Sequence, residues 1–151
     1  PQGSPWRIKS TNDGQSIAVI TERNSDINSS VTLAITKPSA KEKLDDNHLR
    51  MIIFIKPIKN LQQKNSTFKI ANQSSGINII SNGTNIEGIV KWEEYQEGSQ
   101  TSILLPIQSL EKITDNRYFD LKISALSSLN TSPTLRFSTE GLKSLLLILK
   151  K

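Results

Sequence analysis

The chain has 151 residues, 35% of them hydrophobic and 5% aromatic, with a formal net charge of +5. That length builds one domain, residues 1–151, with room for a real core, and the organised clusters of Ile, Val and Leu exclude a disordered chain. The absence of cysteine excludes disulfides and thiolate metal sites.

Lysines are scattered, and arginine occurs only at Arg7, Arg23, Arg50, Arg117 and Arg136. No clustered basic stripe interleaves with stacking aromatics, which argues against nucleic-acid binding. The charge licenses weak attraction to anionic surfaces and nothing stronger. The opening PQGSPW lacks Met and a charged-then-apolar leader. It reads as the start of a mature or trimmed chain whose signal segment has been removed.

Residues 6–10 (WRIKS) form the first candidate strand, with Trp6 and Ile8 on one face, and 11–14 (TNDG) a turn. Residues 16–21 (SIAVIT) are short enough for a strand, and 23–30 read as a loop. In 31–36 the alternation puts Val31, Leu33 and Ile35 on one face. Residues 38–48 read as an exposed, mobile loop. The run 49–58 (LRMIIFIKPI) is the strongest β segment; its apolar centre, 51–55, predicts a central strand buried on both faces and ending at Pro57.

Short strands follow at 68–71, 77–80, 86–92, 102–107 and 118–124, the first of them expected to be mobile. Asn82-Gly83 is the best hairpin signal, 93–100 is a second turn region, and 107–113 holds a helical turn with Leu110 and Ile113 inward. Residues 127–132 read as a loop, and Leu135 and Phe137 lead into a final helix over about 138–150. There Leu142, Leu145, Leu146 and Leu149 share one stripe, with Ser138 as the N-cap candidate and Glu140 and Lys150 signed for the helix dipole. Phe137 is placed to staple Leu142. Gly141 costs roughly 1 kcal/mol in a helix, which predicts that something passes close over it. The stripe is far shorter than the roughly 20 residues that span a bilayer, so the helix is expected to cover a sheet.

About nine to ten short strands and one C-terminal amphipathic helix predict a mainly β fold, an antiparallel β-sandwich or flattened barrel. The expected core is Trp6, Ile8, Leu33, Ile35, Ile53, Ile55, Ile89, Leu104, Leu121, Ile123, Phe137, Leu142, Leu146 and Leu149.

Little in the chain points to chemistry. His48 is the only histidine, and Asp45, Asp46 and His48 lack a spacing that fixes a coordination geometry. Glu93 and Glu94 beside Trp92 and Tyr95 suggest a sugar-binding or acid/base patch. Adjacent strand residues point to opposite faces, which weakens the paired-carboxylate reading. The glycines form no phosphate-binding or dinucleotide motif. No catalytic residue, cofactor or metal is therefore assigned, and Trp92, Glu93, Glu94 and Tyr95 stand as interaction candidates.

The layout resembles the invasion-associated locus B family of bacterial envelope proteins. Trp6 with Ile8 is similar to that family's opening strand, and 31–38 (VTLAITKP) with 51–57 (MIIFIKP) to its paired central strands. Residues 135–149 (LRFSTEGLKSLLLIL) are similar to its closing segment, with Phe137, Ser138, Gly141, Leu142 and Leu146 at matching places. Leu142 stands where the family usually has Phe, and family members often carry cysteines. The resemblance implies a periplasmic or secreted, non-enzymatic β-sandwich of a Gram-negative bacterium, linked to host-cell invasion, that binds an envelope or host protein. The alternatives are a secreted effector that inhibits a host protein, and a carbohydrate-binding or hydrolytic domain using residues 92–95.

Overall fold

The computed structural model describes residues 6–25, 27–39, 47–58, 74–124 and 133–150. The strands expected at 68–71 and the bulk of the 38–48 loop, with Asp45 and Asp46, lie outside these residues, as does the 127–132 loop.

The β-branched runs form strands. In chain order these are β1 (Arg7–Ser10), β2 (Ser16–Asn24), β3 (Ser29–Thr36), β4 (His48–Pro57), β5 (Ser74–Ser81) and β6 (Thr84–Lys91). Then come β7 (Glu93–Glu94), β8 (Ser99–Pro106), helix α1 (Ile107–Ile113), β9 (Tyr118–Ile123), β10 (Thr134–Ser138) and helix α2 (Leu142–Leu149). A six-stranded sheet runs β1-β2-β3-β4-β8-β7 and a four-stranded sheet β10-β9-β5-β6, with every pairing antiparallel. The two remain separate sheets sharing one core, a sandwich and not a closed barrel.

Val31, Leu33 and Ile35 point into that core from β3, and β4 is central as its sequence predicts. β4 is not buried on both faces, however. Met51, Ile53 and Ile55 are buried, whereas Ile52 and Phe54 are only half-buried on the outer face. The loop expected at 23–30 is shorter than that, because β2 runs on to Asn24 and β3 begins at Ser29. The Asn82-Gly83 hairpin forms between β5 and β6, with Gly83 at φ +87°. In α1, Leu110 and Ile113 are buried as expected.

Three expected core residues are misplaced. Ile8 sits on β1, the last strand of its sheet, and is 43% exposed. Ile89 points outward and is 85% exposed: the inward set on β6 is Ile86, Gly88, Val90 and then Trp92. Gly88 leaves a slot that Ile103 of β8 fills; a Cβ at Gly88 would lie 2.8 Å from Ile103 Cδ1. On β8 the fully buried leucine is Leu105, paired with buried Leu49, while Leu104 is half-buried on the outer face.

The closing helix is shorter than predicted and is not capped by Ser138. Gly141 takes a left-handed conformation at φ +87° and is the N-cap. The Ser138 hydroxyl instead accepts the Glu140 N–H at 3.0 Å, holding the turn before the helix, so Glu140 falls outside the first helical turn. Phe137 stacks on Phe119 with centroids 5.6 Å apart. What passes over Gly141 is the backbone of Trp6: a Cβ there would lie 3.2 Å from the Trp6 carbonyl oxygen. Trp6 donates its backbone N–H to the Glu140 carbonyl at 3.0 Å and its indole N–H to the Ser138 carbonyl at 2.7 Å. The two ends of the described chain are thereby latched together. Leu142, Leu146 and Leu149 of α2 are buried in the core that both sheets line.

Candidate functional site

The segment 92–98 is built by a tryptophan that turns inward and a tight turn that turns out. Trp92 continues the inward set of β6, is 4% exposed, and donates its indole N–H to the Ser75 hydroxyl at 2.7 Å. As a surface contact Trp92 is therefore a correction: its ring is core and offers no face to a sugar. The Thr101 hydroxyl donates to the Lys91 carbonyl at 2.6 Å, pinning the start of the segment.

Glu93 and Glu94 form β7, opposite Gln100 and Ser99, and both are exposed. The turn closes by reciprocal backbone hydrogen bonds between Tyr95 and Gly98, at 2.7 and 3.3 Å. Gly98 is required there, because a Cβ would overlap the carbonyl of Ile55 and crowd the Phe54 ring. The Tyr95 hydroxyl donates to Glu93 Oε2 at 2.8 Å. That bond, with the carboxylate charge and a little burial, raises the phenol above its ordinary pKa of 10.0. Tyr95 is thus a protonated donor near neutral pH. As neighbours on a strand, the two carboxylates face opposite ways. The segment presents an acidic, hydrogen-bonding tip and does not assemble an acid/base pair.

His48 opens β4 and lines a cleft of about 400 Å³ with Asn47, Pro106, Ile107, Gln108, Glu111 and Lys150. Ile107 donates its N–H to the Asn47 carbonyl at 2.8 Å, and Lys150 Nζ lies 3.5 Å from Glu111 Oε1 across the mouth. Among the described residues the lining holds an imidazole and an ion pair but no hydroxyl or thiol to act as a nucleophile. Among the described residues no three His, Asp or Glu side chains gather where they could hold a metal ion.

The outer face of the four-stranded sheet is the surface that sequence reasoning missed. Asn78 donates to Asn85 Oδ1 at 3.4 Å and to Glu87 Oε1 at 3.2 Å, and Asn85 also donates to Glu87. Further along, Arg136 pairs with Asp120 at 3.0 Å and lies over the Tyr118 ring at 5.6 Å. Ile89 stands out from β6, which among the described residues forms a ladder only with β5. The signal was present: Trp92, Val90 and Ile86 share one parity, which leaves Ile89 on the other. No protein-family model, curated protein or solved structure matches the chain.

Proposed function

We propose that the chain is a non-enzymatic binding domain of an exported bacterial protein of the invasion-associated locus B type, acting on another protein at the envelope or host interface. The observation that carries this reading is the 85% exposure of Ile89 on β6, the strand at one end of its sheet among the described residues. A terminal strand offers backbone donors and acceptors to an added strand, and an apolar anchor beside them adds affinity. Glu87 and Lys91 lie on the same face as Ile89, giving the apolar side chain a rim of both charges. Both ends of the six-stranded sheet are guarded: β1 is four residues long and carries Arg7 and Lys9, and β7 is only Glu93–Glu94.

What supports the family reading is that its closing residues make one physical unit. Phe137, Leu142 and Leu146 are buried, Ser138 receives the Trp6 indole, and Gly141 takes the left-handed turn beneath Trp6. A secreted inhibitor of a host protein would use the same strand. The carbohydrate-binding or hydrolytic alternative loses one of its two rings with buried Trp92 and keeps exposed Tyr95.

The test uses the immobilised chain as bait in bacterial-envelope and host extracts separately, with an Ile89→Asp variant alongside. The expected result is one protein, competed by free chain, whose capture falls at least tenfold in the variant at unchanged melting temperature. Its source decides between an envelope accessory and a host-directed effector. Capture that ignores Ile89→Asp removes β6 as the binding strand.

A further inference from the structure

The pairing of β6 with β5 decides which of its backbone groups face the edge. The Ser124 N–H donates to the Gly76 carbonyl at 2.9 Å, so the backbone of Gly76 on β5 is turned toward β9. Antiparallel ladders alternate, so the residues of β5 that bond to β6 are Ser75, Ile77 and Ile79. Their partners on β6 are Val90, Gly88 and Ile86. The N–H and C=O groups of Glu87, Ile89 and Lys91 therefore point away from β5, to the edge. Among the described residues only the Lys91 carbonyl is taken up there, by the Thr101 hydroxyl at 2.6 Å. The side chains of the same three residues stand together on the outer face and are exposed.

We propose that β6 pairs with β6 of a second copy of this chain, antiparallel about a two-fold axis through Ile89, which joins the two four-stranded sheets into one. The inference rests on the reading of β6 as a binding strand and names what lies on it when no other protein does. Charge complementarity selects both the occupant and its register. With Ile89 opposite its own equivalent, Glu87 of each copy faces Lys91 of the other, on the same face of the joined sheet. Registers centred on Glu87 or Lys91 set that charge against itself. Those centred on Gly88 or Val90 put Ile89 opposite a charge. Of these registers only the one centred on Ile89 pairs apolar with apolar and acid with base. The two Ile89 residues then exchange backbone hydrogen bonds, and each Lys91 N–H meets the Glu87 carbonyl of the other copy, which leaves the Lys91 carbonyl with Thr101. A two-fold contact uses the same edge of both copies, so it closes at two and does not grow into a fibre.

The experiment is analytical ultracentrifugation of the purified chain from micromolar to millimolar concentration. Wild type is expected to pass from monomer to dimer and no further. Glu87→Lys and Lys91→Glu should each weaken self-association at least tenfold at unchanged melting temperature, because each sets like charges face to face. Mixed in equal amounts, those two variants should pair with each other, since one then brings two lysines and the other two glutamates. Both reversals in one chain, Glu87→Lys with Lys91→Glu, should restore the dimer. A wild type that stays monomeric throughout, or a dimer that ignores both single reversals, overturns the proposal. A monomer whose capture of an extract protein still falls with Ile89→Asp overturns the self-pairing alone and leaves β6 as the strand for another protein. A charge-reversible dimer whose extract capture ignores Ile89→Asp supports the self-pairing and removes only that other reading.

Discussion

Gly141 and Trp92 show how much of this fold hangs on single side chains. At φ +87° an alanine at 141 meets about 1–2 kcal/mol of backbone strain, before its Cβ crowds the Trp6 carbonyl at 3.2 Å. Gly141→Ala should therefore lower stability by roughly 1–3 kcal/mol, read as a shift in urea midpoint at constant slope. Trp92→Phe keeps the ring but removes the donor to buried Ser75, a loss of about 1–3 kcal/mol. Adding Ser75→Ala should recover part of it, and strict additivity in that cycle would show the bond to be energetically idle. At the acidic tip the effect is one of pH. Glu93 raises the Tyr95 phenol pKa, so the stabilisation from their bond is complete below pH 10, the ordinary value, and is lost as pH rises through the higher folded value. Ultraviolet titration in a Tyr118→Phe background should place the Tyr95 midpoint above 10.0, and Glu93→Gln should return it toward that value.

At the scale of elements, α2 is the piece whose removal is most costly. Burial of Leu142, Leu146 and Leu149 stabilises by roughly 5–9 kcal/mol at 1.5–3 kcal/mol per side chain. That matches the whole net stability of an ordinary domain, about 5–15 kcal/mol. A chain ending before Gly141 should aggregate, and one that stays monomeric with an unchanged melting temperature would refute the assignment. This helix was legible because its leucines repeat at helical spacing, and β3 because Val31, Leu33 and Ile35 alternate with the smaller Thr32, Ala34 and Thr36. Parity failed where both neighbours are apolar, at Leu104 and Leu105, and where the inward position is a glycine, at Gly88. There the choice is made by a partner strand, through Leu49 opposite Leu105 and Ile103 in the space beside Gly88. The 92–95 segment looked like a surface site for the same reason. The parity of Trp92 with Ile86 and Val90 points inward, but nothing local says that it finds Ser75, a strand away.

For the whole molecule, the decisive contacts are those that join the two ends. The Trp6 indole reaches Ser138 across a sequence separation of 132, and its ring stacks on Phe119, with centroids 6.5 Å apart, beside Phe137. The central strands also pair over long distances, as β4 does with β8, so the chain should fold on the slower scale of β-sandwiches, roughly milliseconds to seconds. The four-stranded sheet must exist before Trp6 has a place to lie, because its acceptors sit at and just after the end of β10 and its stacking partner on β9. A latch that closes after that sheet has formed would be absent from the transition state. Trp6→Phe retains an aromatic ring and removes one buried hydrogen bond, a loss of about 1–2 kcal/mol. If the latch closes last, nearly all of that loss falls on the unfolding rate, which should rise roughly 5–30-fold while the folding rate changes less than about twofold. Stopped-flow chevrons of wild type and variant measure both limbs. A variant that folds more slowly and unfolds at the wild-type rate would mean that the ends meet early and that the sandwich is assembled around them.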